Sequence, residues 1–201
     1  MRSPAAKRLV DVVGSTVGLV VGAVPMGVIA VAVRRSMGTP VLFRQARPGK
    51  DGEVFTLVKF RTMRDGPEPD AERLTRLGSF LRSSSLDELP ELWNVLRGDM
   101  SLVGPRPLLV RYLERYSPRQ ARRHEVRPGL TGLAQTSGRN ATTWNDRLEL
   151  DVRYVDTWTL GGDLRILVRT LLTVVRREGV SADDHATMPE FRGNPRESSA
   201  P

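Results

Sequence analysis

From Val12 to Val33 not one side chain carries a charge. As a single helix that run would be about 33 Å long at ~1.5 Å per residue, enough for a hydrocarbon core of ~30 Å. Pro25 stands inside it, removing a backbone donor and clashing with the preceding turn. Lys7 and Arg8 precede the run, and Arg34 and Arg35 follow it. A spanning helix normally shows a Lys/Arg bias toward the cytoplasmic side, and here the two ends are alike. A helix broken at Pro25 that enters and leaves by one face keeps all four cations in one headgroup layer. Its first arm, about 16 residues or ~24 Å, is too short to cross alone. The expectation is a re-entrant membrane helix over residues 1–38, in preference to a single span or a buried soluble helix. A cleavable signal peptide fits less well, because the small residues come early and a basic pair follows the run. Gly14, Gly18 and Gly22 recur every four residues. Such a stripe permits close backbone approach, to a second copy as a homodimer or to the chain's own domain, the commoner use.

From Pro40 the composition becomes that of a soluble domain, expected over 39–180. Residues 41–43 and 53–58 are β-prone runs separated by Arg47-Pro48-Gly49-Lys50-Asp51-Gly52, which reads as a hairpin loop. Asp70 opens a helical pattern carrying Leu74, Leu77 and Leu81. Another places Leu89, Leu92, Trp93 and Leu96 on one face. Ser117-Pro118 signals a further helix start. Leu148 to Val175 reads as helix broken around Gly161-Gly162. Residues 181–201 offer too little apolar surface to order themselves. The fold class expected is α+β, mainly helical: a membrane helix, a small β-hairpin and amphipathic interfacial helices around a site.

The 201 residues carry 31 Lys+Arg against 23 Asp+Glu, and Lys7, Lys50 and Lys59 are the only lysines. Without a cysteine there is no disulfide scaffold, Cys-ligated zinc, iron–sulfur cluster or thiol nucleophile. His124 and His185 alone make a His-built metal site or a Ser-His-Asp triad a poor fit. Such a cation suits phosphates, nucleic acid or anionic lipid. Aromatic residues make up only 5% of the chain, and no recognition motif sits on the basic block at 106–127, which argues against nucleic acid.

Three groupings could carry chemistry. Asp87-Glu88 stands at the expected head of an apolar helix, whose partial positive charge keeps carboxylates ionised and attracts phosphate. An ionised carboxylate there could attack phosphorus while its neighbour holds a divalent cation. Ser85-x-x-Glu88 also matches a simple capping box. In Val103-Gly104-Pro105-Arg106-Pro107, two prolines stiffen a guanidinium suited to bidentate phosphate binding; a rigid turn with a surface salt bridge is the plainer alternative. The third is Arg127-Pro128-Gly129-Leu130-Thr131-Gly132-Leu133-Ala134-Gln135 with Gly138-Arg139-Asn140, where glycines could admit a ligand to the backbone. Neither GxxxxGK[ST] nor GxGxxG occurs.

Taken together, these strings resemble the bacterial sugar transferase family, the monotopic phosphoglycosyl transferases. The resemblance rests on Lys7-Arg8…Asp11, Pro-Val-Leu-Phe-Arg-Gln (40–45), Lys-Phe-Arg-Thr-Met (59–63), the long string Ser-Leu-Asp-Glu-Leu-Pro-Glu-Leu-Trp-Asn-Val-Leu-Arg-Gly-Asp-Met-Ser-Leu-Val-Gly-Pro-Arg-Pro (85–107), Arg-Pro-Gly-Leu-Thr-Gly-Leu-Ala-Gln (127–135) and Asp-x-x-Tyr-Val…Trp…Asp-Leu-x-Ile (151–166). It implies transfer of a sugar 1-phosphate from a UDP-sugar to polyprenyl phosphate, with release of UMP. By the same resemblance Asp87 is the nucleophile, Glu88 with Asp87 the Mg²⁺ partner, and Arg82 and Arg106 the phosphate-binding residues. Lys59, Arg61, Arg127 and Arg139 are further candidate substrate contacts. The implied setting is monotopic, on the cytoplasmic face of the bacterial inner membrane, with the basic block 106–127 against the lipid surface. Val24 stands where the family often has Ser before the helix-breaking proline. The competing readings are an inactive membrane-anchored scaffold and a membrane-tethered nucleic-acid-binding protein.

Overall fold

A computed structural model describes residues 3–137, 143–176 and 190–193. The chain opens with α1 (Pro4–Met37), started by the Ser3 hydroxyl accepting from the Ala6 N–H at 3.3 Å and closed at Gly38, whose φ is 74°. Its most apolar stretch has mean hydropathy 2.3 and is only 17% buried, unlike the core helix of a soluble protein. The helix runs through Pro25 without interruption, so the break expected there is not one of secondary structure. A proline forfeits one hydrogen bond and strains the preceding turn, which can bend a helix without ending it.

Both ends of α1 are tied to the rest of the chain by hydrogen bonds or core packing, while one face of its middle is exposed. At the start, Lys7 Nζ donates to the Val103 carbonyl (2.9 Å), to Tyr154 Oη (3.2 Å) and to Asp163 Oδ2 (2.6 Å). Arg8 donates to the Val95 and Leu96 carbonyls, both at 2.7 Å. Buried Asp11 accepts from Ser101 Oγ and from the Leu102 N–H, each at 2.9 Å. Toward the other end Ile29 and Val33 pack with Phe60 and Leu81, and Arg61 donates to the Met37 carbonyl. Between them Val20, Val21, Val24 and Val28 are 65–76% exposed. A Cβ on Gly14 would meet Leu102, and one on Gly18 would meet Leu92, so these two glycines serve intramolecular packing.

Strands β1 (Leu42–Pro48) and β2 (Val54–Phe60) form the expected hairpin, antiparallel from Leu42↔Phe60 to Pro48↔Val54. Its turn places Asp51 and Gly52 at φ 55° and 81°. The helical stretch expected over 70–81 is two helices, α2 (Asp70–Arg73) and α3 (Arg76–Ser83). Leu74 leaves the helix to bridge Met63, and Thr75 caps α3 by accepting from the Gly78 N–H. Next, α4 (Glu91–Arg97) buries Glu91, Leu92, Asn94 and Val95, while Trp93 is exposed. The face anticipated from leucine spacing is therefore turned. Asn94 explains it, since its side chain accepts from the Val58 N–H (3.1 Å) and donates to the Thr56 carbonyl (2.8 Å), tying α4 to β2.

A second sheet went unanticipated. Short β3 (Ser101–Val103) and β4 (Gly129–Thr131) pair in parallel. Gly104 and Gly129 meet so closely that a Cβ on Gly129 would lie 2.0 Å from the Gly104 nitrogen, and one on Gly104 would lie 2.4 Å from the Arg127 carbonyl oxygen. Ser117 opens α5 (Pro118–Ala121) with a capping box to Gln120. After α6 (Leu133–Thr136) come α7 (Trp144–Thr157) and α8 (Leu160–Arg176), parted at Trp158-Thr159 rather than at the glycines. Thr159 Oγ1 accepts from the Gly162 N–H there, starting α8 with both glycines inside its first turn.

Residues 190–193 depart from the disorder expected of the tail. Phe191 is 2% exposed, with its ring 5.5–5.6 Å from those of Tyr112, Tyr116 and Trp144. The Phe191 N–H donates to Tyr112 Oη, its carbonyl accepts from Arg115, and Glu190 pairs with Arg111 and Arg115. The rest of 181–201 lies outside the described residues.

Candidate active site

Asp87 and Glu88 belong to a single 3-10 turn, Leu86–Glu88, ahead of α4 rather than in its first turn. Ser85 enters the turn at φ 57° and its side chain makes no cap bond, so the capping-box reading does not apply. Asp87 is 4% exposed. Glu88 Oε1 accepts from Arg106 Nη2 at 2.5 Å, and Arg82 donates to Thr62 Oγ1 at 3.0 Å while facing Asp87. Lys59, from β2, faces Asp87, Glu88 and Glu91.

Burial pushes the Asp87 carboxyl above its ordinary value and the Glu88 charge adds to this; Lys59, Arg106 and Arg82 pull it back. Burial likewise drives Lys59 down, opposed first by Asp87. Arg106 is held protonated chiefly by Glu88. Three cations thus act on a buried carboxyl group, offsetting part of the cost of burying its charge, and the same cations can receive a diphosphate.

Arg106 is placed by its main chain. Its carbonyl accepts from Arg123 Nη2 (2.6 Å), and Arg123 pairs with Asp151 at 2.7 Å, both side chains buried. From the other side Arg47 donates to the Pro107 carbonyl at 3.2 Å. Burial, with Arg106 beside it, lowers Arg47 to about 10. The stiff segment foreseen between Pro105 and Pro107 is thus braced from both sides.

A cavity of about 550 Å³ opens beside the pair. Arg82, Arg106, Arg123 and Arg147, with Glu88 and Asp151 among them, give it a polar side of net positive charge, and Leu102, Leu130, Ala134, Leu167 and Leu171 an apolar one. Trp144 and Leu148 complete the wall beside Arg147. Asp87 is not on the lining; the residues flanking it, Ser85 and Glu88, are.

Of the residues singled out from sequence, Asp87, Glu88, Arg82, Arg106 and Lys59 come together. Arg61 does not join them: it is buried against the end of α1, bonded to Asp65 and to the Met37 and Thr39 carbonyls. Arg127 donates to the Gly98 carbonyl at 2.7 Å, at the far end of α4. Arg139 lies outside the described residues. The basic block is largely committed within the chain, with Arg119 on Glu149, Arg122 on Glu125 and Asp156, Arg111 and Arg115 on Glu190, and Arg123 buried. Sequence reading missed Glu91, a buried carboxylic acid that burial and the Glu88 charge push up to about 8. The signal was available, since Glu91 follows Glu88 by three positions, the spacing that brings helical side chains to one side.

Among the described residues no three Asp, Glu or His side chains converge as a ready-made cation site. Mg²⁺ is usually held by one or two carboxylates together with substrate phosphates. Asp87 and Glu88 fit that incomplete donor set.

The profile described as bacterial sugar transferase matches residues 2–177. The chain belongs to the bacterial sugar transferase family. This sugar transferase is 48% identical over 194 residues to an uncharacterised sugar transferase of Bacillus subtilis (strain 168), covering 94% of this chain and 96% of that one. It is 42% identical over 181 residues to the UDP-glucose:undecaprenyl-phosphate glucose-1-phosphate transferase of Caulobacter vibrioides, covering 82% of this chain and 68% of its relative. The undecaprenyl-phosphate galactose phosphotransferase of Salmonella typhimurium is 39% identical over 196 residues, covering 86% of this chain and 41% of its own length. This sugar transferase therefore spans nearly all of the Bacillus protein and about two-fifths of the Salmonella one. It is an enzyme of the phosphoglycosyl transferase class. Its long apolar helix, together with relatives that act on a lipid carrier, indicates membrane association.

Proposed function

We propose that this sugar transferase moves a sugar 1-phosphate from a UDP-sugar to polyprenyl phosphate in two displacements at one phosphorus. An Asp87 carboxylate oxygen attacks the β-phosphorus. The bond to the bridging oxygen breaks, UMP leaves with the electron pair, and the phosphosugar stays on Asp87. An oxygen of polyprenyl phosphate then attacks the same phosphorus, and the Asp87 carboxylate departs with the electrons of the acyl-phosphate bond. The products are UMP and polyprenyl-diphosphate-sugar, the first membrane step of a surface glycan.

The observation that carries this reading is the buried Asp87 carboxylate enclosed by Lys59, Arg82 and Arg106 beside the cavity. Arg106 would bind the incoming diphosphate, and Glu88 with Asp87 would hold Mg²⁺. When bound, that ion neutralises charge developing on the departing phosphate. Two steps suit one water-soluble and one lipid-borne substrate, because the phosphosugar waits on the protein between them.

The same reading places the enzyme on the cytoplasmic face of the bacterial inner membrane, with α1 entering and leaving the bilayer by that face. Its support is that Lys7 at one end and Met37 at the other are bonded to the same domain while Val20, Val21, Val24 and Val28 are exposed. The deciding experiment incubates Asp87→Asn with UDP-sugar, Mg²⁺ and polyprenyl phosphate; UMP release is expected to vanish, and retained turnover removes Asp87 as the nucleophile. A panel of UDP-sugars in the same assay names the donor.

A further inference from the structure

A second concavity, of about 760 Å³, lies elsewhere on the molecule and shares no lining residue with the reaction cavity. Its floor is one face of the hairpin: Leu42, Val58 and Phe60, which strand alternation and the Leu42↔Phe60 register put on the same side. Lys59, which faces Asp87, projects from the opposite side of β2. One wall is α1, through Leu19, Met26, Gly27 and Ala30; the other is α4, through Pro90 and Trp93. Two guanidinium groups, Arg44 and Arg97, are part of the same lining.

Each part has a chemical preference. The floor and walls are apolar and continue onto the exposed stripe of α1 at Val24, Val28 and Val31, the part of the chain suited to lipid. Trp93, 50% exposed, combines an apolar ring with a polar N–H, the property that favours aromatic residues at the headgroup level. Arg44 is exposed and makes no ion pair among the described residues, and Arg97 has only a 3.6 Å approach to Asp99. Space is left open as well: a Cβ on Gly27 would meet nothing within 4 Å.

We propose that this groove binds one anionic glycerophospholipid, with an acyl chain between α1 and the hairpin and the headgroup phosphate between Arg44 and Arg97. The lipid is a structural neighbour of the bilayer, not the acceptor, because the hairpin separates the groove from Asp87. This goes beyond the transfer reaction and stands whichever sugar is moved.

The test uses the full chain, delipidated in detergent and reconstituted with phosphatidylglycerol or phosphatidylcholine, with bound lipid counted by native mass spectrometry. One phosphatidylglycerol is expected per chain, in preference to phosphatidylcholine. Arg44→Gln and Arg97→Gln should each weaken that preference about fivefold, the effect of removing one cation from an anionic surface. Gly27→Leu, which fills the open space, should remove the bound lipid of either kind. The surface arginine variants keep the test alive if Gly27→Leu does not fold. Wild-type protein without preference, or variants that retain lipid like wild type, would overturn the proposal. So would one-for-one displacement by polyprenyl phosphate, which makes the groove an acceptor site, or equal competition by inorganic phosphate, which makes it a bare anion site.

Discussion

Arg123 and Asp151 form a buried ion pair, and the same guanidinium carries the main-chain carbonyl of Arg106. The exposed arginine of the site is thus set, through its main chain, by a buried one. Asp151→Asn leaves Arg123 charged and short of its partner in the interior, which typically costs about 3–5 kcal/mol. A fall in unfolding midpoint is expected, with a loss of turnover in the folded fraction because Arg106 is no longer held. Wild-type kcat in folded Asp151→Asn protein would make the pair purely structural.

Glu88 is bonded to Arg106 and is also the proposed Mg²⁺ partner. Glu88→Ala should shift the Mg²⁺ dependence of UMP release upward by at least tenfold in midpoint. An unchanged titration would confine Glu88 to its contact with Arg106.

Glu91 gives a pH dependence of definite sign. Its carboxyl sits at about 8 in the folded protein against an ordinary 4.5, so the folded state binds the proton more tightly. That contribution to stability is complete below pH 4.5 and is lost as pH rises toward 8; it is worth on the order of a few kcal/mol. Glu91→Gln, which fixes the neutral form, should lose less stability than wild type between those limits when unfolding is followed across pH. Parallel curves for the two proteins would show that Glu91 titrates normally.

The absence of cysteine makes topology easy to probe. Single cysteines at Ser3 and Lys50 should both react with a membrane-impermeant reagent only from the cytoplasmic side. Labelling from opposite sides would restore a spanning helix.

Phe191→Ala opens a gap among Tyr112, Tyr116 and Trp144. Losing a buried Phe usually costs about 3–5 kcal/mol, an upper bound here because the segment can detach instead. Limited proteolysis should cut the variant near residue 190 far faster than wild type. Equal cutting rates would show that the segment does not depend on this ring.

What could be read from sequence follows the range of the interactions. The hairpin, the Ser117 cap and the apolar helix are written in neighbouring residues, and each appears where expected. The pairing of β3 with β4 is not, because three-residue strands carry no periodicity and their register depends on two glycines meeting across the sheet. Trp93 was misplaced because Asn94, a polar residue with no weight in an apolar pattern, sets the rotation of α4. At the site, adjacency exposed Asp87-Glu88, and proline spacing exposed Arg106. Arg47 and Arg123 stayed hidden, since bracing a main chain from afar leaves no local motif. Arg61 and Arg127 lie in the quoted motifs, yet Arg61 pairs with Asp65 and the Met37 and Thr39 carbonyls, and Arg127 with the Gly98 carbonyl.

The clasp at the start of α1 also has a consequence for biogenesis. Lys7 leaves the ribosome ahead of its partners Val103, Tyr154 and Asp163, which follow by 96, 147 and 156 residues. At about 5–20 residues per second the last of them emerges roughly ten to thirty seconds later. On the proposed topology the bilayer would therefore receive α1 before its partners exist, and the domain would assemble around a helix already resident in the lipid.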